Sequence, residues 1–569
     1  MTPGVRSRVL EVYAAADRAV AAAGPRCDSS GRCCRFEEYG HTLFVSQFEA
    51  DILLETAPAY VAPVTAAGCP FQIDNLCTAR DERPLGCRIY FCDPAYQETG
   101  NRITEAAVAG LKRIADDHDT GWAYAPLHVF LNAAERPAPA PADTMSPPAT
   151  NAVPPDRRPP MPRFRLLSAF FLTLTLTLTL SASDWPQFLG PNRDNTSSDT
   201  VAAWKGELKA AWSVPVGDAH SSPVVAGGVV YAFYQPKGRN ADALAAHDAK
   251  TGKQLWEKSY DRPEFKPPFG NGPRSTPAVS AGKVYTFGGT GILARWDAKT
   301  GEVEWKVDTL TEFKAPNLNF GVSASPLVKA GKVFVNVGGK GAGLVAFEAA
   351  TGKTAWKSGD DAASYASPIW VEAGGKAQVV FLTAAGLVGV DPESGKEFWR
   401  TPFKDLLQES ATTPLAADGL VVGSSVTLGS IALKLGDKEA TQAWKSGQLN
   451  CYFSTPVLAA KDHLFMLNGK LSISPSITLR CVELATGKVK WEKANVGKYH
   501  AAIVRTGDGK LLMLDDGGDL TLFEADTKAF KPLAKAKVCG PTWAHPALAD
   551  GQLYLRDEKN LLCVPLAGE

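Results

Sequence analysis

Seven of the eleven cysteines fall in one short stretch: Cys27, Cys33, Cys34, Cys69, Cys77, Cys87 and Cys92. Thiols at this density form disulfides in an oxidising compartment; in a reducing one they hold zinc or iron, or act as redox switches. An odd count argues against a complete set of disulfides. Arg83 and Arg88 flank Cys87 and favour its thiolate, which serves metal binding and redox sensing alike. Zinc or iron held by these seven cysteines is the reading preferred here; a redox sensor and a disulfide framework are the alternatives. His41 lies between the cysteine groups, but a lone histidine is more often a surface or core residue than a ligand.

The elements that must position these thiols are short. Val9, Val12, Tyr13, Ala16 and Val20 make one stripe of a helix from Val5 to Ala23, closed by Gly24-Pro25. Ser46 with Glu49 three residues later forms a capping box that opens a second helix, running to about Glu55. Cys33-Cys34, Cys69-Pro-Phe with Cys77, Arg83-Pro84, Cys87-Arg88 and Cys92 resemble the zinc- or iron-chelating cysteine-cluster domain family of bacterial proteins. The resemblance covers roughly residues 25–95 and implies a metal-binding module, assigned to 1–130. Relatives often carry a C-x2-C-x2-C-C run where this chain has Cys27 and then a gap of five.

A Pro/Ala-rich linker, 131–162, has too little large apolar content to fold and leads to residues 163–183. From Leu166 to Ser183 that segment carries no charge, and Arg157, Arg158, Arg163 and Arg165 precede it. Its length and basic flank predict one hydrophobic helix, either a transmembrane span or an internal signal peptide, with Ser181-Ala182-Ser183 small enough for cleavage. Basic residues on one side place the first module in the cytoplasm and the rest of the chain outside. Leu-Thr alternation also fits a buried strand. Because Met161 begins what reads as a complete secretory signal, the chain is either a membrane-anchored fusion or two neighbouring reading frames joined. Sixty basic and sixty acidic side chains cancel, so no global field attracts nucleic acid.

Residues 184–569 repeat. Tryptophan recurs at Trp212, Trp256, Trp305, Trp356, Trp399, Trp444 and Trp491, at intervals of 43 to 51 residues. Turns such as Thr251-Gly-Lys and Thr351-Gly-Lys precede several of them. A small hydroxyl residue before proline is the second landmark: Ser222, Thr276, Ser325, Ser367, Thr413 and Thr455, with degenerate copies at Ala501-Ala502 and His545-Pro546. Eight copies with four short strands each predict a mainly β fold, an eight-bladed β-propeller behind a small, mostly helical cysteine-rich domain. Each blade is expected to open at the proline and end at the tryptophan. The strand ending at Trp212 then has no blade of its own in front and should complete the last one.

These landmarks, and the opening Asp184-Trp-Pro-Gln-Phe-Leu-Gly-Pro-Asn-Arg193, resemble the pyrroloquinoline-quinone-type repeat family, which includes quinoprotein dehydrogenases and the outer-membrane assembly factor BamB. The resemblance implies that the proline strand lies nearest the axis. The residue three before each proline position then rings the funnel: His220, Arg274, Ser323, Tyr365, Ala411, Phe453, Tyr499 and Trp543. This ring is varied on a regular frame, as a binding mouth would be, although aromatics there also serve to plug a channel. A quinoprotein needs carboxylates around calcium and usually two adjacent cysteines; no such pair follows residue 183, and only Glu409 and Asn319 lie near the landmarks. The expectation is a non-catalytic, BamB-like propeller in the periplasm or cell envelope. It would bind a protein or envelope polymer, contact the membrane through 163–183, and be joined to a cytoplasmic zinc/iron module. A periplasmic dehydrogenase using pyrroloquinoline quinone, and a metal carrier or redox sensor, are the alternatives.

Overall fold

The structure, a computed structural model, describes residues 2–25, 43–58, 60, 64, 69–73, 76–79, 82–89, 96–118, 123–134, 183–469 and 475–566. Cys27, Cys33, Cys34, Cys92, His41, most of the linker and the apolar segment up to residue 182 lie outside them. No helix among the described residues is long and apolar enough to cross a membrane.

In the amino-terminal region five helices are described: Pro3–Ala23, Gln47–Thr56, Leu85–Ile89, Gln97–Asp117 and Leu127–Ala133. The predicted stripe of the first helix is its buried face, with Val5 joining it and Val12 half-buried, and Gly24 caps the helix at φ 58°. Ser46 and Glu49 form the expected capping box. Glu49 does more than cap. Its carboxylate, 1% exposed, accepts from the Ser46 backbone N–H (2.7 Å) and hydroxyl (2.8 Å), and across the fold from Leu85 N–H (2.8 Å). It thereby ties the second helix to the short helix that carries Cys87.

Eight four-stranded antiparallel sheets follow, each built from consecutive strands except the last. The first blade is Val224–Ala226, Val229–Tyr234, Ala241–Asp248 and Gln254–Asp261. The eighth is Ala547–Ala549, Gln552–Arg556 and Asn560–Pro565, completed by Trp212–Pro215, with Trp212 paired to Cys563. The expected closure is therefore present. One expectation fails in detail: the fourth strand does not end at its tryptophan but continues past it, as Trp256 in Gln254–Asp261 and Trp356 in Thr354–Ser358 show. The reason is a register shift beside the tryptophan's partner, for instance between Ala246 and His247, which re-aims the outer strand so that it continues past the indole.

Each indole lies on the blade that follows. Trp212, Trp256 and Trp305 donate Nε1–H to Ala249 (2.9 Å), Ala298 (3.2 Å) and Ala349 (3.1 Å) carbonyls. Trp356 and Trp444 donate likewise to Pro392 (2.9 Å) and Leu484 (2.7 Å). The turn beneath, Thr-Gly or at this position Ser394-Gly395, needs its glycine for two reasons: at Gly395 φ is 70°, and a Cβ would stand 2.4 Å from Trp356. Blade five lacks that turn, and a side chain replaces it. Trp399 donates to Gln378 Oε1 (2.7 Å), whose amide donates to Gly436 O of blade five (2.8 Å).

A collar of hydrogen bonds runs around the axis through the hydroxyl landmarks. Backbone N–H groups of Ser222, Thr276, Ser325 and Ser367 donate to the hydroxyls of Thr276 (3.2 Å), Ser325 (2.9 Å), Ser367 (2.8 Å) and Thr413 (3.1 Å) in the next blade. His545 N–H joins the eighth blade to the first through Ser222 Oγ (2.9 Å), and Thr455 donates its hydroxyl to Thr413 O between blades six and five (3.2 Å). The inner strands begin only after the proline in most blades, so the landmarks themselves are irregular backbone. Strand alternation does not dictate where they point.

Residues 183–199 form a strap that the repeat pattern does not announce. Trp185 pairs with Val225 in blade one (2.8 and 2.9 Å), Pro186 O accepts from Val279 of blade two (2.7 Å), and Arg193 donates to Ser325 and Pro326 carbonyls of blade three (3.0 and 2.9 Å). Asn195 and Ser197 then bond Arg505 of blade seven (2.8 and 2.9 Å), and Asn195 donates to Thr455 O of blade six (3.3 Å). Blades three and seven are on opposite sides of the ring, so the strap crosses the axis.

Trp356→Ala is expected to cost about 3 kcal/mol, the range for a large buried aromatic. Gly395→Ala should cost a comparable amount, and the double variant less than the sum, because both break one contact. Urea denaturation of the three variants measures this; independent, additive losses would show that the indole and the turn do not act together.

Candidate functional site

Trp543 is the hub of the predicted ring. Its indole meets Phe453 and His220 edge-on (centroids 5.4 and 6.3 Å) and stacks with Tyr499 (5.9 Å, planes 22° apart). Residues from blades six, seven, eight and one thus converge. On the other side Tyr365 packs against Phe320 (5.6 Å), which reaches Phe269 (6.0 Å). Ser323 bonds locally to Gly321 O (3.0 Å), and Ala411 adds no functional group. Of the eight predicted positions, His220, Phe453 and Tyr499 meet Trp543, while Tyr365 belongs to a second aromatic group with Phe320 and Phe269.

His220 and Arg274 hold the loop between blades one and two. His220 Nε2 lies 2.9 Å from Phe269 O, and since a carbonyl only accepts, the proton is on Nε2. Arg274 donates to Pro268 O (2.8 Å) and Gly270 O (3.3 Å). Phe269 is left 81% exposed at φ 62°, an unusual backbone state for a bulky residue. Burial, with Arg274 adding to it, pushes the His220 imidazole down to about 4, and burial pushes the Arg274 guanidinium down to about 10.

Tyr452, Phe320, Phe269, His500 and His545 belong to this region and were missed as site residues. Tyr452 stacks on Phe453 at 3.8 Å and donates its hydroxyl to Glu409. Its position beside a predicted ring residue was the available signal. Burial raises the Glu409 carboxyl above its ordinary value, while the Tyr452 hydrogen bond opposes the shift. Nearby Asp405 is engaged by the Ser425 and Thr427 hydroxyls and by Leu407 N–H (2.9 Å).

Of the seven proposed metal-binding cysteines, Cys69, Cys77 and Cys87 are described. All three pack against one apolar cluster that includes Val45, Phe71 and Leu127. No group of three or more His, Cys, Asp or Glu side chains among the described residues is placed to hold a metal ion.

With this geometry established, the chain can be set beside known proteins. The family described as "Outer membrane protein assembly factor BamB" matches residues 239–493. The match lies wholly within the propeller. No curated protein sequence matches. Similar solved structures include the quinohemoprotein alcohol dehydrogenase of Comamonas testosteroni, 15% identical with TM-score 0.49, over 68% of this chain and 81% of that one. BamB from Moraxella catarrhalis is 16% identical with TM-score 0.47, over 63% of this chain and 98% of its own. A europium-containing methanol dehydrogenase is 12% identical with TM-score 0.49, over 67% and 89%.

Because the folded state holds the Glu409 proton more tightly than the unfolded chain does, its contribution to stability is greatest below the ordinary carboxylate value of 4.5 and is lost as pH rises through the elevated one. Glu409→Gln keeps an acceptor for Tyr452 and removes the titration. Urea midpoints from pH 4 upward should therefore fall less steeply in the variant than in the wild type; parallel curves would contradict the raised value.

Proposed function

We propose that this propeller is a non-catalytic binding scaffold of the cell envelope, similar in role to the assembly factor whose family matches its central blades, and that it holds a segment of a partner protein at the funnel mouth. The observation that carries this reading is the cluster of Trp543, Tyr499, Phe453 and Tyr452, with Phe269 exposed on the loop that His220 holds. Large, rigid aromatics with polar edges give contact area at small entropic cost and are the usual anchors of protein interfaces. In the same proposal the amino-terminal module binds zinc or iron, a reading supported by the density and order of its seven cysteines in the sequence and not by the placement of Cys69, Cys77 and Cys87, which form no ligand group among the described residues.

The rival, a quinone-dependent dehydrogenase, requires charged oxygens around calcium. The residues present do not fit. Glu409 is bonded by a tyrosine hydroxyl and shifted towards its neutral form, and Asp405 is already engaged by two hydroxyls.

Full-length protein given pyrroloquinoline quinone and calcium is expected to show neither stoichiometric quinone uptake nor dye-linked alcohol oxidation; both together would overturn the scaffold reading. A photo-crosslinker at position 269 should trap one envelope protein, and Trp543→Ala should reduce that adduct roughly ten-fold or more. An adduct insensitive to Trp543 would move the docking site elsewhere.

A further inference from the structure

Two positions break the small-residue columns that line the axis. Immediately before the landmark proline, seven blades carry Ser, Thr or Ala, and the eighth carries His545; one position earlier, the seventh blade carries His500 where the others have Ser, Thr or Ala. The two exceptions are the same residue type, on adjacent blades, and they meet. Their ring centroids are 5.4 Å apart with planes at 59°, and the side chains are 3% and 5% exposed.

Their hydrogen bonding is incomplete. His500 Nε2 and both nitrogens of His545 have no partner, and His500 Nδ1 has only the Ser454 hydroxyl at 3.4 Å, a hydroxyl also directed at Ala501 O. Each unsatisfied buried polar group costs about 1–3 kcal/mol, so leaving three in contact is a substantial penalty unless something bonds there. The groups acting on the pair are cationic or titrate to cations: His220 acts on His500, and Arg274 acts on His220. His220 is itself uncharged at neutral pH, its imidazole lowered to about 4, so no full charge acts directly on the pair. Burial keeps both imidazoles neutral, lowering His500 to about 4 and His545 to about 3, so what they offer is lone pairs.

We propose that His500 and His545 together bind one late first-row transition ion of the zinc or copper class beneath the funnel mouth. Neutral imidazole is the preferred ligand of these ions. Two imidazoles sharing a tetrahedral ion through bonds of about 2.0 Å place their ring centres roughly 5 Å apart, close to the separation found here. With two protein ligands the remaining positions belong to water or to an atom of whatever occupies the mouth. Trp543 lies parallel to His500 (6.2 Å, 5°) and therefore links the ion to the aromatic cluster. The site does not depend on the scaffold reading: it stands or falls on the two histidines alone.

The test uses the full-length chain, stripped with a chelator and titrated with Co2+ and Zn2+, against a His500→Ala/His545→Ser double variant. His545→Ser restores the hydroxyl column and should fold. The expected result is one equivalent less of bound metal in the variant, loss of a visible cobalt band without sulfur character, and loss of a metal-induced rise in Tm. Sulfur-to-cobalt charge transfer from the cysteine module should be unchanged, which separates the two sites. Single variants should each weaken the ion roughly ten-fold or more. Equal stoichiometry, spectra and Tm shifts in wild type and variant would overturn the proposal and leave the pair bridged by water.

Discussion

The contact on which the rest depends is an indole laid flat over a glycine turn of the neighbouring blade. It is made at the outer part of the ring by Trp212, Trp256, Trp305, Trp356 and Trp444, each donating Nε1–H to the blade that follows. The collar of hydroxyls does the corresponding work near the axis from blade one to blade five, where Ser and Thr side chains reach the backbone of the preceding blade. Sheets stacked face to face leave their strand edges at the centre and the rim, and these two sets of bonds lock adjacent blades at both places. Gln378 shows how strongly the outer contact is retained: where blade five has no turn for Trp399, an amide bridges the gap.

This division explains what was legible in the sequence. Trp and Gly-turn spacing, together with the hydroxyl–proline landmark, report contacts repeated in nearly every blade, so their period reveals the blade number and even the closure by Trp212. The strap is different. Its contacts reach six blades, the eighth through the Ser197 hydroxyl on Leu548 O (3.2 Å), none is repeated, and Leu189, Arg193 and Asn195 adopt positive φ without being glycine. A segment shaped by tertiary partners alone leaves no periodic trace. The tryptophan's place in its strand was misjudged for a similar reason, since the bulge beside it depends on pairing geometry rather than on composition.

The mouth was half legible. Counting back from the prolines found His220, Arg274, Tyr365, Phe453, Tyr499 and Trp543, because a regular frame makes position a guide to location. It could not show that Trp543 gathers four of its neighbours while Ser323 and Ala411 contribute little, nor that Tyr452 turns to Glu409. Those details follow from rotamers set by packing across blades. The departures from the frame proved more telling than the frame itself: His500 and His545 stand where every other blade keeps a small residue, and the structure brings them into contact.

The strand exchange between the two ends of the propeller sets a timetable. Trp212–Pro215 is made early but pairs with Asn560–Pro565, at the far end of the domain. Until the ribosome has finished the last blade, the eighth sheet cannot exist, and the growing arc presents an unpaired edge that invites another chain. Long sequence separation slows such closure further. A carrier that shields the incomplete arc, or passage through a pore that forbids early folding, would protect this chain better than one that folds as it emerges.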